Sequence, residues 1–589
     1  MAGTRLFRRL VLMCGAAVAT IHAGAVTAQT QPQNPTPPPT INEQQRFTPP
    51  PQVVTPPTPN GPAAPSVDVD ARAAMAQAPC PFTDSPLRVQ LARVTFTRPD
   101  GTSPLQPEIA GSLAGLTMPS GDQPLSVVCD IRDQANAALR RDGWVASVQI
   151  PPQEIEGGEL KLHVVTAKIT GVRVRGDAGP YEGILRGRIA DLQALDPLNE
   201  REAERILLLA GDIPGLDVQL ALRPAETGQQ GEVTGDLTIA FQRGAVLANV
   251  QNYNSRLLGR ETGYLRAELY GLTGAGDITY VGGSTTFNDE QTIAQIGHIA
   301  TLDGDGTTLG ARFSYAWSRP DLDALDFRTD TLIAGVDLAR PLFRSVKSNG
   351  TAALGFDYIN QTSESGDIRQ IEDRLRVIYG ALAADYRDLN FDGSTRIKAA
   401  ARIELRKGLG IFDASDGAGA GAGILQSRNG DARAFVARAD VELYTQLTPF
   451  LAYSLRLLGQ YSDDPLVNYE AFSLGNLTVG RGYDPGSNSG DRAVGIRNEV
   501  IATYPVTERV GAQAFGFYDV VLLDNVDPQS TETNRRLRSL GGGVRMTLAS
   551  LALLEVTYAH PMDRALRIDA RRPDDRVLVS LTMQLRDLF

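Results

Sequence analysis

The sequence predicts a mixed fold: two small α+β domains followed by a transmembrane antiparallel β-barrel of about sixteen strands. Three observations predict it. The chain opens on an export signal, yet it has no later run of eighteen or more uncharged apolar residues, so a helical membrane protein is excluded and a barrel is not. Residues 80–242 repeat one order of strands and helices with a period of about eighty residues. From about residue 245 onward, long alternating segments recur between Gly, Asp, Asn and Ser turns.

The signal occupies residues 1–28. Arg5, Arg8 and Arg9 make a positive start, the next ten residues are apolar, and Val26 and Ala28 sit at the −3 and −1 positions of a cleavage site before Gln29. The apolar part is too short for a comfortable membrane span. Cleavage removes three Arg and no acid, taking the formal charge from −11 to −14. So acidic a chain is a poor partner for nucleic acid. Cys14 falls in the signal without a lipobox around it. The mature chain keeps Cys80 and Cys129, which read as one disulfide in an oxidising compartment, the alternative being two buried thiols.

Residues 29–79 form a Pro-rich linker. The stretch 31–65 holds thirteen of the thirty-six prolines, which fix φ and remove donors, so it is expected to be extended and coreless. In residues 80–166, a strand at 87–98 carries Val89, Leu91, Val94 and Phe96 inward. Helices are expected at 106–113 and, capped by Ser126, up to 141, with Val127, Ile131, Ala135 and Leu139 on one face. Strands follow at 144–150 and 159–166. Residues 167–243 repeat this order. Strands are expected at 167–175, 217–223 and 235–241, and helices at 183–190 and 199–210, the second capped by Asn199.

Residues 244–589 read as the barrel. Candidate strands include 263–270, 310–318, 331–338, 352–358, 374–386, 432–443 and 451–461. In the last strand, from 576 to the end, Val577, Val579, Leu581, Met583 and Leu585 alternate with Ser580, Thr582, Gln584 and Arg586. A spacing of about twenty-two residues per strand and turn suits a transmembrane barrel better than a sandwich. The opposite faces of these strands carry Arg, Asp, Gln, Gly and Thr, which a dry soluble core would not take. The terminal Phe589 is similar to the C-terminal aromatic by which the barrel-insertion machinery recognises bacterial outer-membrane proteins.

No catalytic constellation is found, and no metal or cofactor is expected. The mature histidines are His163, His298 and His560, in three separate regions, and there is no zinc motif, nucleophile elbow or phosphate loop. The Gly-rich run 417–423 lacks the following Lys-Ser/Thr of a phosphate cradle and reads as a loop. One segment stands out: Gly480-Arg481-Gly482-Tyr483, then Ser489-Gly490-Asp491-Arg492, then Arg497-Asn498-Glu499. Further on, Gln513, Phe515, Phe517 and Asp519 share one face of a strand at 508–523. On residue types alone this is a surface loop with a solvated Arg481 and an unrelated Asp519.

The segment resembles the Val-Arg-Gly-Phe/Tyr loop of the POTRA-plus-barrel superfamily of outer-membrane assembly and secretion proteins. Within it, the pattern Arg-Gly-Tyr, Ser-Gly-Asp-Arg, Arg-Asn-Glu is similar to the two-partner-secretion branch, the haemolysin-activator/filamentous-haemagglutinin-transporter family. Phe517-Tyr518-Asp519 resembles that family's Phe-x-Asp strand. Ile150-Pro151-Pro152-Gln153 and Asp212-Ile213-Pro214-Gly215 resemble parts of its two POTRA domains. The resemblance spans nearly all of residues 80–589. It implies two POTRA domains in the periplasm of a Gram-negative bacterium and a sixteen-stranded outer-membrane barrel, with outer-membrane lipid around it. It also implies a loop folded into the lumen with Arg481 paired to Asp519, supported by Gly490, Asp491, Glu499 and Phe517. The implied activity is export of a large secreted polypeptide client of adhesin or haemolysin type, not enzymatic catalysis. A barrel-assembly factor, a porin and an outer-membrane enzyme are the competing classes. Departures from the pattern are Gly480, where Val is usual, Ala493 for a common Gly, and no more than a short helix at 68–78 to serve as the family's N-terminal plug.

Overall fold

The structure, a computed structural model, describes residues 79–586 apart from 228, 323–324, 391–392, 416–425, 508–509 and 549–550. The signal, the Pro-rich stretch, the helix expected at 68–78, the Gly-rich run and Phe589 lie outside the described residues.

The first domain runs β1 (Arg88–Leu91), β2 (Arg93–Thr97), α1 (Pro107–Leu113), β3 (Gly121–Pro124), α2 (Val127–Arg141), β4 (Ala146–Gln149) and β5 (Glu159–Thr166). The second runs β6 (Lys168–Gly176), α3 (Glu182–Gln193), α4 (Glu200–Gly211), β7 (Leu216–Pro224) and β8 (Glu232–Phe241). Their sheets share one topology. β5 is central, parallel to β2 and antiparallel to β4; β8 is central, parallel to β6 and antiparallel to β7. Both are POTRA domains. The α2 stripe Val127, Ile131, Ala135 and Leu139 is buried against the first sheet. There Asn136 Oδ1 also accepts the Val148 N–H at 2.8 Å.

Two details differ from the sequence reading. The strand at 87–98 is two strands, because at Ala92 the chain changes partner: β1 pairs with the short β3, whereas Ala92 N donates to Gly158 O and β2 joins β5. Ser126 does not cap α2 with its side chain; its backbone is already helical (φ −59°, ψ −22°). Asn199 does cap α4, its side chain accepting from Arg201 N.

Cys80 and Cys129 are disulfide-bonded, closing 49 residues and tying the start of the first domain to α2. Closing a loop of that size restricts the unfolded chain by about 4 kcal/mol. Cys129→Ser is therefore expected to lower the first domain's stability by about that much. Trp144 lies in this domain, its indole N–H donating to Ser112 Oγ, so its fluorescence in urea, in a Trp317→Phe background, reports the loss.

Only residues 242–243 separate β8 from the barrel. Its strands are β9 (Gly244–Gln251), β10 (Thr262–Tyr270), β11 (Ile278–Thr286), β12 (Gln291–Thr301), β13 (Thr308–Ser318), β15 (Leu325–Arg344), β16 (Ser348–Ser365), β17 (Ile368–Leu389), β18 (Thr395–Gly408), β19 (Phe435–Thr448), β20 (Leu451–Tyr461), β23 (Arg492–Thr507), β24 (Val510–Asp524), β25 (Arg535–Leu548), β26 (Ala552–Pro561) and β27 (Arg576–Arg586). The two-residue β14 (Asp321–Leu322) folds back on β15, and β21 (Phe472–Leu474) and β22 (Asn488–Gly490) lie in a loop. The sixteen long strands are antiparallel to their neighbours, and β27 closes on β9. Asn249 spans this closure, its amide reaching Ser580 Oγ (2.9 Å) and Thr582 Oγ1 (2.8 Å). Alternation sorts the faces: Leu265, Ile296, Leu382, Tyr518 and Leu522 are exposed on the outside, while Phe515, Phe517, Asp519 and Val521 are buried within.

The second POTRA domain is fastened to the turns at the barrel's near end. Tyr181, fully buried, places its hydroxyl 3.1 Å from Pro214 O and 3.2 Å from Asp277 O, and burial holds its pKa well above the ordinary phenol range. Arg344 grips Asp212 at both carboxylate oxygens (2.8 and 2.7 Å), and Glu204 accepts the Val346 N–H at 2.7 Å. Arg344→Ala is expected to loosen this contact by about 1 kcal/mol, since the pair is partly exposed. Faster amide hydrogen exchange at the C-terminal turn of α4, with the strand amides unchanged, is the reading that checks it.

Candidate functional site

The loop 462–491 joins β20 to β23 and is almost wholly buried. A free extracellular loop would expose its polar residues to water; this one returns into the lumen, where the inward faces of the strands meet it. β21 and β22 pair as a short hairpin. Its tip is closed by Gly475 N to Val479 O (3.1 Å), Asn476 N to Tyr483 O (3.1 Å) and Tyr483 N to Gly480 O (2.9 Å). Gly480 has φ +102°, a conformation that a Val there would strongly disfavour. At Gly482 a Cβ would lie 2.7 Å from the Pro561 backbone N, so only glycine lets the tip lie flat against β26.

Between these glycines Arg481 reaches β24. Its Nε and Nη2 lie 3.0 and 2.7 Å from the two oxygens of Asp519, and its own backbone N–H donates to the same carboxylate at 3.1 Å. Arg481 is 3% exposed and Asp519 is 0% exposed, so neither charge is left to solvent. Arg497 stands opposite Asp519 in the strand register, yet its guanidinium turns to Thr478 O at 3.2 Å and leaves Asp519 to the loop. Arg481 Nη1 also pairs with Glu499, which Arg545 holds from β25 at 2.9 and 3.0 Å, and Arg545 in turn meets Glu555 at 2.7 Å. Three Arg thus face three carboxylates. A buried cluster of this kind is tolerable because it is balanced and each member is hydrogen-bonded. Phe517 lies under Arg481, its ring centroid 3.6 Å from the guanidinium carbon, and Phe515 lies 3.9 Å from that of Arg545.

The remaining motif residues hold the loop's shape. The fully buried Tyr483 hydroxyl lies 2.9 Å from Arg538 O and 3.1 Å from Asp563 O, and accepts the Asp563 N–H at 3.1 Å. Asp491 gathers three segments, accepting from Arg428 Nη2 (2.8 Å), Leu466 N (2.9 Å) and Val526 N (2.8 Å). A Cβ at Gly490 would sit 3.1 Å from Asp524 O. The structure therefore places Gly480, Arg481, Gly482, Tyr483, Glu499, Phe517 and Asp519 at the loop tip and the wall facing it, Gly490 and Asp491 at the end of the same loop beside Arg428 and β24, and the Cys80–Cys129 bond apart in the first POTRA domain.

Sequence reasoning missed a second ionic cluster on the same loop. Glu470, 4% exposed, receives Arg406 of β18 (Nη2, 2.9 Å) and Arg438 of β19 (2.8 Å). Arg406 also meets Asp357 of β16 at 3.2 Å and Glu404 at 3.1 Å. A trace was present in the sequence: Glu404 and Arg406 are two apart, as are Arg438 and Asp440, so each pair lies on one face of its strand. The register that sets Glu404 opposite Arg438 was not readable there.

Comparison with known proteins gives three findings. The family model described as "Haemolysin secretion/activation protein ShlB/FhaC/HecB" matches residues 323–546. The heme/hemopexin transporter protein HuxB of Haemophilus influenzae (strain 86-028NP) is 21% identical over 456 residues, covering 74% of this chain and 78% of HuxB. Among solved structures, CdiB from Escherichia coli is similar with a TM-score of 0.70 at 16% identity, covering 88% of this chain and 95% of that one. CdiB from Acinetobacter baumannii is similar with a TM-score of 0.61 at 16% identity, covering 99% and 97%.

Proposed function

We infer that this chain, which belongs to the haemolysin secretion/activation family of two-partner-secretion transporters in the outer membrane, exports its partner protein through the lumen that loop 462–491 now fills. The observation carrying this reading is the Arg481–Asp519 pair, which fixes a removable segment of chain, not a wall, across the inside of a closed barrel. Asp519 and Arg481 act as a latch. The client enters as an extended polypeptide of adhesin or haemolysin type, and folding outside prevents its return. The POTRA domains hold it by strand addition, a sequence-tolerant mode that needs only an open sheet edge. β6 offers one: it pairs with β8 on one side alone, and its far end, with Val174 46% exposed, is open. The domain boundaries follow at 80–166, 167–243 and 244–589. The chain works as a passage and not as an enzyme, since its sequence holds no nucleophile and base set. The alternating residues of β27, with Phe589 following in the sequence, serve recognition by the barrel-insertion machinery.

Proteins released into the medium by cells with and without the gene test this reading. Loss of one large protein, with other outer-membrane barrels unchanged, is the expected outcome. An unchanged medium with a general fall in barrels would point instead to an assembly factor.

A further inference from the structure

Two of the ionic clusters that fasten loop 462–491 to the barrel wall share no strand; a further pair, Asp484 with Arg576 of β27 (2.7 Å), lies beyond Arg481 in the loop. Arg481 binds among β23, β24, β25 and β26. Glu470, eleven residues earlier in the same loop, binds among β16, β18 and β19. From the Glu470 side, Asp357 continues the chain of charges to Arg312 of β13 and on to Asp337 of β15 (2.7 Å). In the order of strands around the barrel, the first cluster spans one stretch of wall and the second another, with β20 between them.

The Glu470 anchor is as deeply buried as the Arg481 anchor. Arg406 is 6% exposed, Glu470 is 4% exposed, and both carboxylate oxygens of Glu470 are taken by guanidinium groups. Its backbone is held as well: Glu470 O accepts from Arg438 Nη2 (2.9 Å) and from Gln460 Nε2 (3.0 Å). A carboxylate here is not a solvated loop residue that happens to touch the wall. Removing it would leave Arg406 with Asp357 and Glu404, still paired, so the wall itself stays satisfied while this point of the loop is freed. That asymmetry is what a releasable fastening requires.

We propose that Glu470 is a positioning residue for transport, forming with Arg406 and Arg438 a second latch, so that residues 470–481 are a strap held at both ends and leave the wall only when both latches open. This rests on the reading of the lumen as the export path. The consequence is specific: breaking either latch alone leaves the strap seated by the other, whereas breaking both releases it.

The test uses the full-length protein in liposomes, with a reporter cysteine introduced as Ser473→Cys, between the anchors at a position now 5% exposed. Alkylation of this cysteine by an impermeant maleimide is timed in four backgrounds: unaltered, Arg481→Ala, Glu470→Gln, and the two together. Each single change is expected to raise the rate by less than about threefold and the pair by more than about tenfold, the excess being the coupling between the latches. Glu470→Asp, which keeps the charge, is expected to restore slow labelling in an otherwise unaltered protein. Should Glu470→Gln fail to fold, Arg438→Gln weakens the same latch from the wall side and must show the same coupling with Arg481→Ala. The proposal is overturned if Arg481→Ala alone labels as fast as the pair, or if the pair is no more than the product of the singles. No client is present in this measurement, so its failure is separable from that of the export reading. Coupled labelling in a protein whose loss leaves the medium unchanged would refute export and keep the strap.

Discussion

Arg481→Ala is expected to destabilise the folded barrel by about 3–5 kcal/mol, more than Asp519→Ala, and the double variant is expected to lose less than Arg481→Ala alone. The reason lies in who is left behind. Asp519 is fully buried, and the hydrogen bonds described to its carboxylate all come from Arg481. Without the Arg481 guanidinium that charge keeps only the backbone N–H of residue 481, while Arg497 opposite it is turned to Thr478 O. Without Asp519, Arg481 still holds Glu499, so its charge stays compensated. Removing both leaves Glu499 with Arg545, an intact pair, and no orphan in either place. Guanidinium unfolding of the purified barrel, followed by its shift in gel mobility, ranks the three variants. The reverse ranking of the singles would mean that Asp519 is stabilised by groups other than Arg481. Export should follow a different rule: both single variants and the double variant lose the Arg481–Asp519 latch while Glu470 keeps its own, so all three are expected to export poorly.

Tyr483→Ala is expected to cost about 4 kcal/mol, the range for deleting a buried aromatic ring. The ring fills space under the loop tip beside Val479 and Leu474, which are likewise buried. Its hydroxyl ties that tip to the loop between β26 and β27 through the Asp563 backbone. Tyr483→Phe separates the two contributions. It keeps the ring but leaves the Asp563 N–H without its acceptor, a loss of about 1–3 kcal/mol. Thermal melting should therefore order the proteins as unaltered, Phe, Ala. Protease cleavage within 562–575 should rise in both variants. A Phe variant as unstable as the Ala variant would show that the hydroxyl alone holds the tip.

Much of this architecture was legible before the structure. Period-two alternation put Phe515, Phe517 and Asp519 on one face of a strand, and that face is the lumen face of β24. Helix periodicity located α2 and α4 because each buries one stripe against one sheet. What escaped was set by partners distant in sequence. The division of 87–98 into β1 and β2 depends on β3, a four-residue strand, Gly-Asp-Gln-Pro, with no strand-like composition. β15 and β17 are 20 and 22 residues long, well beyond the segments 331–338 and 374–386 that alternate clearly, because their neighbours continue the ladder through polar and Pro341-containing sequence. Residues 432–434 precede β19 and do not begin it; Ala434 accepts from Gly408 N at the mouth instead. Glu470 escaped for the same reason. Its partners Arg406 and Arg438 come from other strands, and nothing local distinguishes it from a solvated acid.

Passage of the client through this lumen is tested most directly by photo-crosslinking during secretion. A photoreactive phenylalanine replaces Gln513 on the lumen face of β24 or Tyr518 on its lipid face, which is 40% exposed. Irradiation of secreting cells should yield an adduct between this chain and one large secreted polypeptide from position 513, and none from position 518. Adducts from position 518 alone, or none from 513 while the client still reaches the medium, would contradict transport through the barrel.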